Sequence, residues 1–282
     1  MERGFTFFRL CAALVFIIVG FFFVIEHSNI NKAAEVTGMV DVIAQSKKDV
    51  NDFTGAFNPD ENKYKTTLGK VFKREYQAYT LYISCLHRGP LYGFMSLKKD
   101  NGNLPRKTRF AVDIVVPSEC RQVSTSSYNK TYHRGHLFAA NHFDNDGLQM
   151  WESFFMSNVV PQHHVSNTGA WKKTEVITEC YREHHSIYLA AGVIYGSDKS
   201  DDYFLRSHKV TTPTAMWKYI QLDNDKYSAW IIPNNEDATQ KNLHSFEVKI
   251  QDLMRITNIE IVRNVDLLQR VQLNVFQNCH IS

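Results

Sequence analysis

Tyr132-His133-Arg134-Gly135-His136-Leu137 is the densest polar stretch of the chain. Two later stretches answer to it: Ser157-Asn158-Val159-Val160-Pro161-Gln162 and Asn167-Thr168-Gly169-Ala170-Trp171-Lys172-Lys173-Thr174-Glu175. Arg134 and His136 are two residues apart. On an extended segment such residues face the same side, so both reach one ligand. Gly135 between them permits close approach of another backbone. The spacing predicts a helix over Asn167 to Arg182, on which Trp171 and Glu175 are one turn apart and Glu175 follows Asn167 by two turns.

On either side of this segment, the aromatic and β-branched run Tyr76–Ser84 reads as a strand and Leu91–Leu97 as a second. His87-Arg88-Gly89-Pro90 is turn material between them, so the pair is expected to form a hairpin. Phe110–Val116 is a further short apolar run. Ile187–Tyr195 is continuously apolar, the signature of a buried strand, and Trp217–Leu222 with Tyr227–Ile232 forms a second hairpin around Asp223-Asn224-Asp225. Strands and helices are interspersed without βαβ alternation. The class expected is α+β, with a mainly antiparallel central sheet flanked by helices. A hydrophobic share of 44% over 282 residues excludes an intrinsically disordered chain. Thirty-two basic residues against 29 acidic leave a net charge of +3, too mild for a histone-like wrapper, so any phosphate must be held by a local cluster.

Residues 1–25 have the form of a secretory signal or signal anchor: Arg3 and Arg9, then the uncharged run Leu10–Ile25. If the run is retained, the charge bias predicts a cytoplasmic N-terminus and an exported body. If it is cleaved, the body is secreted. Residues 26–67 read as an amphipathic helix and linker, and 68–282 as the folded body. Cys85, Cys120, Cys180 and Cys279 form an even set in that body. Two disulfides with three possible pairings, or four buried thiols, both fit. Asn129-Lys130-Thr131 is a glycosylation sequon, while His163-His164 and His184-His185 lack the spaced partners of a zinc site.

The chemistry is carried by one base, one oxygen ligand and one cation. Phosphodiester hydrolysis needs those parts: a base to activate water, a metal to stabilise charge on oxygen, and a cation to hold phosphate. His136 titrates in the right range, Asn167 offers a hard carbonyl oxygen suited to magnesium, and Arg134 lies beside the base. No P-loop, G-x-S-x-G elbow or H-E-x-x-H motif is present.

These residues resemble the DNA/RNA non-specific endonuclease family, whose pattern is Asp-Arg-Gly-His, then Ser/Thr-Asn-x-x-Pro-Gln, then Asn-x-Gly-x-Trp-x-x-x-Glu. Here it reads His133 to His136, Ser157 to Gln162 and Asn167 to Glu175. Softer matches extend the resemblance over Leu68 to Cys279. The resemblance implies an embedded ββα-metal (His-Me finger) motif, with His136 as general base and Asn167 as the single direct protein ligand of Mg2+, or of Mn2+ in its place. It further implies that Glu175 orients metal-bound water, that Arg134 and Arg88 contact phosphate, and that Asn158 supports the site. The implied substrates are DNA and RNA, cut without sequence preference to leave 5′-phosphate ends, and the implied assembly includes a homodimer.

Two departures bear on function. His133 replaces the usual Asp, which puts metal affinity and pH dependence in question. Glu179 stands where the family often has Arg, with Arg182 one turn further as the nucleic-acid contact in its stead. A catalytically weak relative that binds nucleic acid or a protein partner is therefore a second reading. A membrane-tethered scaffold is a third.

Overall fold

A computed structural model describes residues 69–197 and 199–276 together with Cys279. The signal or anchor and the amphipathic helix expected before residue 68 lie outside the described residues. The described part falls within one compact unit, Lys48–Ser282.

Seven strands form the central sheet: β1 (Val71–Glu75), β2 (Tyr79–Ser84), β3 (Gly89–Leu97), β6 (Ile187–Ile194), β7 (Ala215–Leu222), β8 (Lys226–Pro233) and β9 (Gln269–Arg270), in that spatial order. All neighbours are antiparallel except the short β8–β9 pair. β4 (Tyr132–His136) and β5 (Val159–His163) make a separate two-stranded ribbon. The expected class is therefore the observed one. Both predicted hairpins form, with Ser84 opposite Gly89 at the first turn and Asp225 at φ +61° in the second.

The inner strands β3, β6 and β7 are buried on both faces, which explains their apolar runs. Leu189, Ala191, Val193, Met216 and Ile220 point to one side; Tyr188, Ala190, Trp217 and Tyr219 point to the other. The first side packs on α1 (Gly147–Ser153) through Met150, on the ribbon through Val160, and on α3 (Ala170–Arg182) through Trp171 and Ile177. The second is covered by α4 (Ile250–Thr257) through Ile250 and Leu253. Burying a large aliphatic or aromatic side chain contributes about 2–3 kcal/mol each, so this double-faced core holds the frame that carries the ribbon.

The predicted single helix from Asn167 is in fact two. α2 (His164–Thr168) ends at Gly169, and α3 starts beyond it. A Cβ at Gly169 would meet the carbonyl oxygens of Val165 at 2.3 Å and Ala238 at 2.4 Å, so only glycine allows this joint. The cysteine pairing is resolved as Cys85–Cys120 and Cys180–Cys279. In the loop-entropy account, their sequence separations of 35 and 99 correspond to about 4 and 5 kcal/mol of stabilisation.

Candidate active site

The ribbon sets the positions of Arg134 and His136. Arg134 lies opposite Pro161, Gly135 opposite Val160 and His136 opposite Val159. A Cβ on Gly135 would lie 2.1 Å from Gln162 Oε1, so glycine is required for the glutamine to fold across the strand. At the end of β4 the main chain is fastened twice. The Trp171 indole N–H donates to the His136 carbonyl at 3.0 Å, joining α3 to the strand. Asn158, fully buried, accepts from Phe138 N–H through Oδ1 at 3.0 Å and donates through Nδ2 to the carbonyls of Phe138 and Ser153, both at 2.9 Å. Asn158 thus clamps the chain leaving His136 and does not line the cavity described next. It supports the site without touching a ligand there.

A cavity of about 310 Å³ opens at this end of the ribbon, lined by Arg134, His136, Asn167 and Glu175 together with Arg106, Asn141 and Lys172. The base, oxygen ligand, carboxylate and cation expected from sequence share one space. A larger cavity of about 430 Å³ lies at the opposite end, by Tyr132 and His163. Its charged lining is Glu236 and Asp237, which suits a phosphodiester poorly, so chemistry rather than size selects the smaller one.

His136 is 7% exposed and packs between Phe110 and Phe154, with ring centroids 5.3 and 5.0 Å away. Its Nε2 is buried and unpartnered. Burial first, then the charges of Arg106 and Arg134, lower its pKa to about 3. The imidazole is therefore neutral near pH 7 and able to take a proton. Arg134 stacks its guanidinium 4.1 Å from the Phe110 ring centroid and donates one N–H to the Thr125 carbonyl at 2.6 Å. Arg106 sits 5.3 Å from the Phe154 ring centroid, so two guanidinium groups flank the imidazole on aromatic supports. The sequence reading missed Arg106. Its signal was the basic run Arg106-Lys107-Thr108-Arg109 ahead of Phe110.

Asn167 projects from α2 and is half-buried. Its Nδ2 lies 3.1 Å from His133 Nδ1, and among the described residues no hydrogen bond engages its Oδ1. Glu175, on α3, is 3.3 Å from Lys172 Nζ. Beneath it, Lys218 Nζ is buried without a hydrogen-bond partner, 4.0 Å from the Trp171 ring centroid, and burial lowers its pKa to about 8. One free amide oxygen and one carboxylate facing a cavity with room for water fit Mg2+, a hard ion that keeps several of its waters.

The two other expected phosphate contacts, Arg182 and Arg88, lie outside this cavity lining. Arg182 is 3% exposed and held between carboxylates: Nη2 lies 2.6 Å from Asp100 and Nη1 3.3 Å from Glu179, which is itself 2.5 Å from His142 Nδ1. This buried chain of charges ties α3 to the loop after β3 and leaves Arg182 no route to a nucleic acid. Arg88 sits at φ +53° in the first hairpin turn and donates to the carbonyls of Ser118 at 2.9 Å and Arg121 at 3.3 Å. It braces the loop held by Cys85–Cys120 and lies outside the cavity lining.

A two-stranded ribbon, a following helix and a shared cavity with an imidazole at its edge define a protein of the ββα-metal type. Residues 58–268 match the family model described as DNA/RNA non-specific endonuclease. The chain is 26% identical over 226 residues to the mitochondrial nuclease EXOG of Danio rerio, covering 74% of this chain and 66% of that one. It is 26% identical over 199 residues to nuclease C1 of Cunninghamella echinulata var. echinulata, covering 66% and 79%. A solved structure of EndoG in complex with EndoGI superposes with a TM-score of 0.58 at 21% identity, covering 78% of this chain and all of that one, and shares the fold. The chain therefore belongs to the DNA/RNA non-specific endonuclease family. It spans 66% of the length of the Danio rerio EXOG and 51% of the human one.

Proposed function

We propose that the protein is a magnesium-dependent, sequence-nonspecific endonuclease that hydrolyses phosphodiester bonds of DNA and RNA. The observation that carries this reading is the single cavity shared by His136, Arg134, Asn167 and Glu175. Neutral His136 takes a proton from water, and the oxygen so activated attacks phosphorus. The P–O3′ bond breaks, leaving a 5′-phosphate, and the departing 3′ oxygen acquires a proton. Arg134 and Arg106 hold the phosphate oxygens, and the bound anion offsets the two cations that depress the His136 pKa, which strengthens the base when substrate is present. Asn167 would hold Mg2+ through Oδ1 and Glu175 would orient its water. The ion, or Mn2+ in its place, stabilises charge on the phosphate and the leaving oxygen. Contacts confined to phosphate explain tolerance of any sequence and of both sugars.

The test is digestion of plasmid DNA and single-stranded RNA with Mg2+, with EDTA, and by His136→Ala. Cutting of both substrates that EDTA and the substitution each abolish supports the reading; intact substrates across a broad pH range reject it. The second reading, a weakly active nucleic-acid-binding domain, is favoured by His133 in the usual Asp place, and retained binding without cutting would select it. Export of the body belongs to the same proposal. It is supported by the two disulfides and the basic-then-apolar start. A homodimer, implied by the family resemblance alone, is tested by light scattering.

A further inference from the structure

We propose that His133 is a positioning residue that turns the Asn167 amide so that its oxygen faces the cavity, and thereby sets the divalent-cation affinity of the site. This rests on the reading of Asn167 as the metal ligand.

A carboxamide is nearly symmetric in shape but presents an acceptor at one end and a donor at the other. A cation needs the oxygen, so an unpinned Asn167 would spend part of its time offering the wrong end. The pin is His133. Its Nδ1 lies 3.1 Å from Asn167 Nδ2. For that ring nitrogen to accept, the ring proton sits on Nε2, and the amide nitrogen is then held away from the cavity while Oδ1 is left unengaged. The two residues come from elements already fastened together: His164 N–H, at the start of α2, donates to the Thr131 carbonyl just before β4 at 2.8 Å. His133 itself is exposed, opposite Gln162 on the ribbon, and carries no core packing. Its ring faces α2, with its centroid 6.1 Å from that of His164, the residue that opens that helix.

An aspartate at this position would accept the same hydrogen bond and add a negative charge beside the cation. Histidine keeps the orientation and gives up that charge. Outer contacts of this kind change metal affinity by about 10- to 100-fold when removed.

The experiment is calorimetric titration of the full-length protein with MgCl2 and with MnCl2, without nucleic acid, so the readout is independent of turnover. His133→Leu, which removes the acceptor, should weaken binding by about 10- to 100-fold. His133→Asn, whose Oδ1 occupies the place of the ring Nδ1, should restore most of it, and His133→Asp should bind more tightly than the native protein. A folded His133→Leu protein that binds as tightly as native, or a His133→Asn protein as weak as His133→Leu, overturns the proposal. Failure of the underlying reading looks different: native protein that binds neither ion, or Asn167→Ala that binds as native does, removes Asn167 as ligand and the role of His133 with it.

Discussion

Glu152 offers a quantitative test of how burial, rather than pairing, governs charge next to the site. It lies near the end of α1, one residue before Ser153, whose carbonyl Asn158 grips. The side chain is 4% exposed, and Oε2 accepts the main-chain N–H of Gln77 at 2.8 Å. Burial is the largest influence and pushes its carboxyl from 4.5 up to about 7, against the opposing pull of the Gln77 hydrogen bond and Arg74. The folded protein therefore binds this proton more tightly than the unfolded chain. Its contribution to stability is complete below about pH 4.5 and is lost as pH rises through about 7. At 1.36 kcal/mol per tenfold change in proton affinity, the loss is about 3 kcal/mol, a large part of a typical folding free energy. Glu152→Gln keeps the shape and the acceptor but cannot ionise. Urea denaturation should find the variant about 3 kcal/mol more stable than native near pH 8.5, with the gap falling below about 1 kcal/mol near pH 5. A gap equal at both pH values would refute the reasoning.

Arg182→Met should destabilise the fold by about 3–5 kcal/mol, because Asp100 and Glu179 are left buried without their cation; thermal melting reads this, while the salt dependence of nucleic-acid binding stays native. Arg106→Gln and Arg134→Gln should each weaken DNA binding and lower the slope of log affinity against log salt by about 1, measured by fluorescence anisotropy. His136→Ala should reduce kcat by about 10²- to 10⁴-fold. Because burial and two arginines hold the His136 pKa near 3, kcat/KM of the native enzyme should show no acid limb at the ordinary imidazole value of 6.5, and a limb there would contradict the assigned environment.

The strands that could be read from sequence are those buried on both faces. Ile187–Ile194 is apolar throughout because each side meets a packed layer. β1 escaped notice because Val-Phe-Lys-Arg-Glu is an edge strand with three charged residues, and β9 is two exposed residues long. Helical spacing continues across Gly169, so sequence alone predicts one helix from Asn167. The break is dictated by the carbonyls of Val165 and Ala238, and the second of these is remote in sequence.

That Arg134, His136, Asn167 and Glu175 would meet in one cavity was legible because their types and spacing match the parts phosphodiester hydrolysis needs. Arg182 was misread because a position in a motif says nothing about which partners reach a guanidinium first. Arg106 was missed because its loop has no periodicity. It is brought to the cavity by tertiary contacts, including the Ala111–Phe155 bridge that ties the following residues beside α1.

Leu97 at the end of β3 and Ile187 at the start of β6 are cross-strand partners. The chain leaves the sheet and re-enters it at one point, and every side chain lining the cavity, Arg106 through Glu175, belongs to the excursion between them. The cavity lining is in effect one oversized hairpin loop, a cassette plugged into the sheet and pinned besides by both disulfides and by Asn234, which accepts from the His163 N–H and donates to the Pro161 carbonyl. An engineer who moved the cassette would have to move those pins with it, and Lys218 as well, whose ammonium lies 4.0 Å from the Trp171 ring centroid.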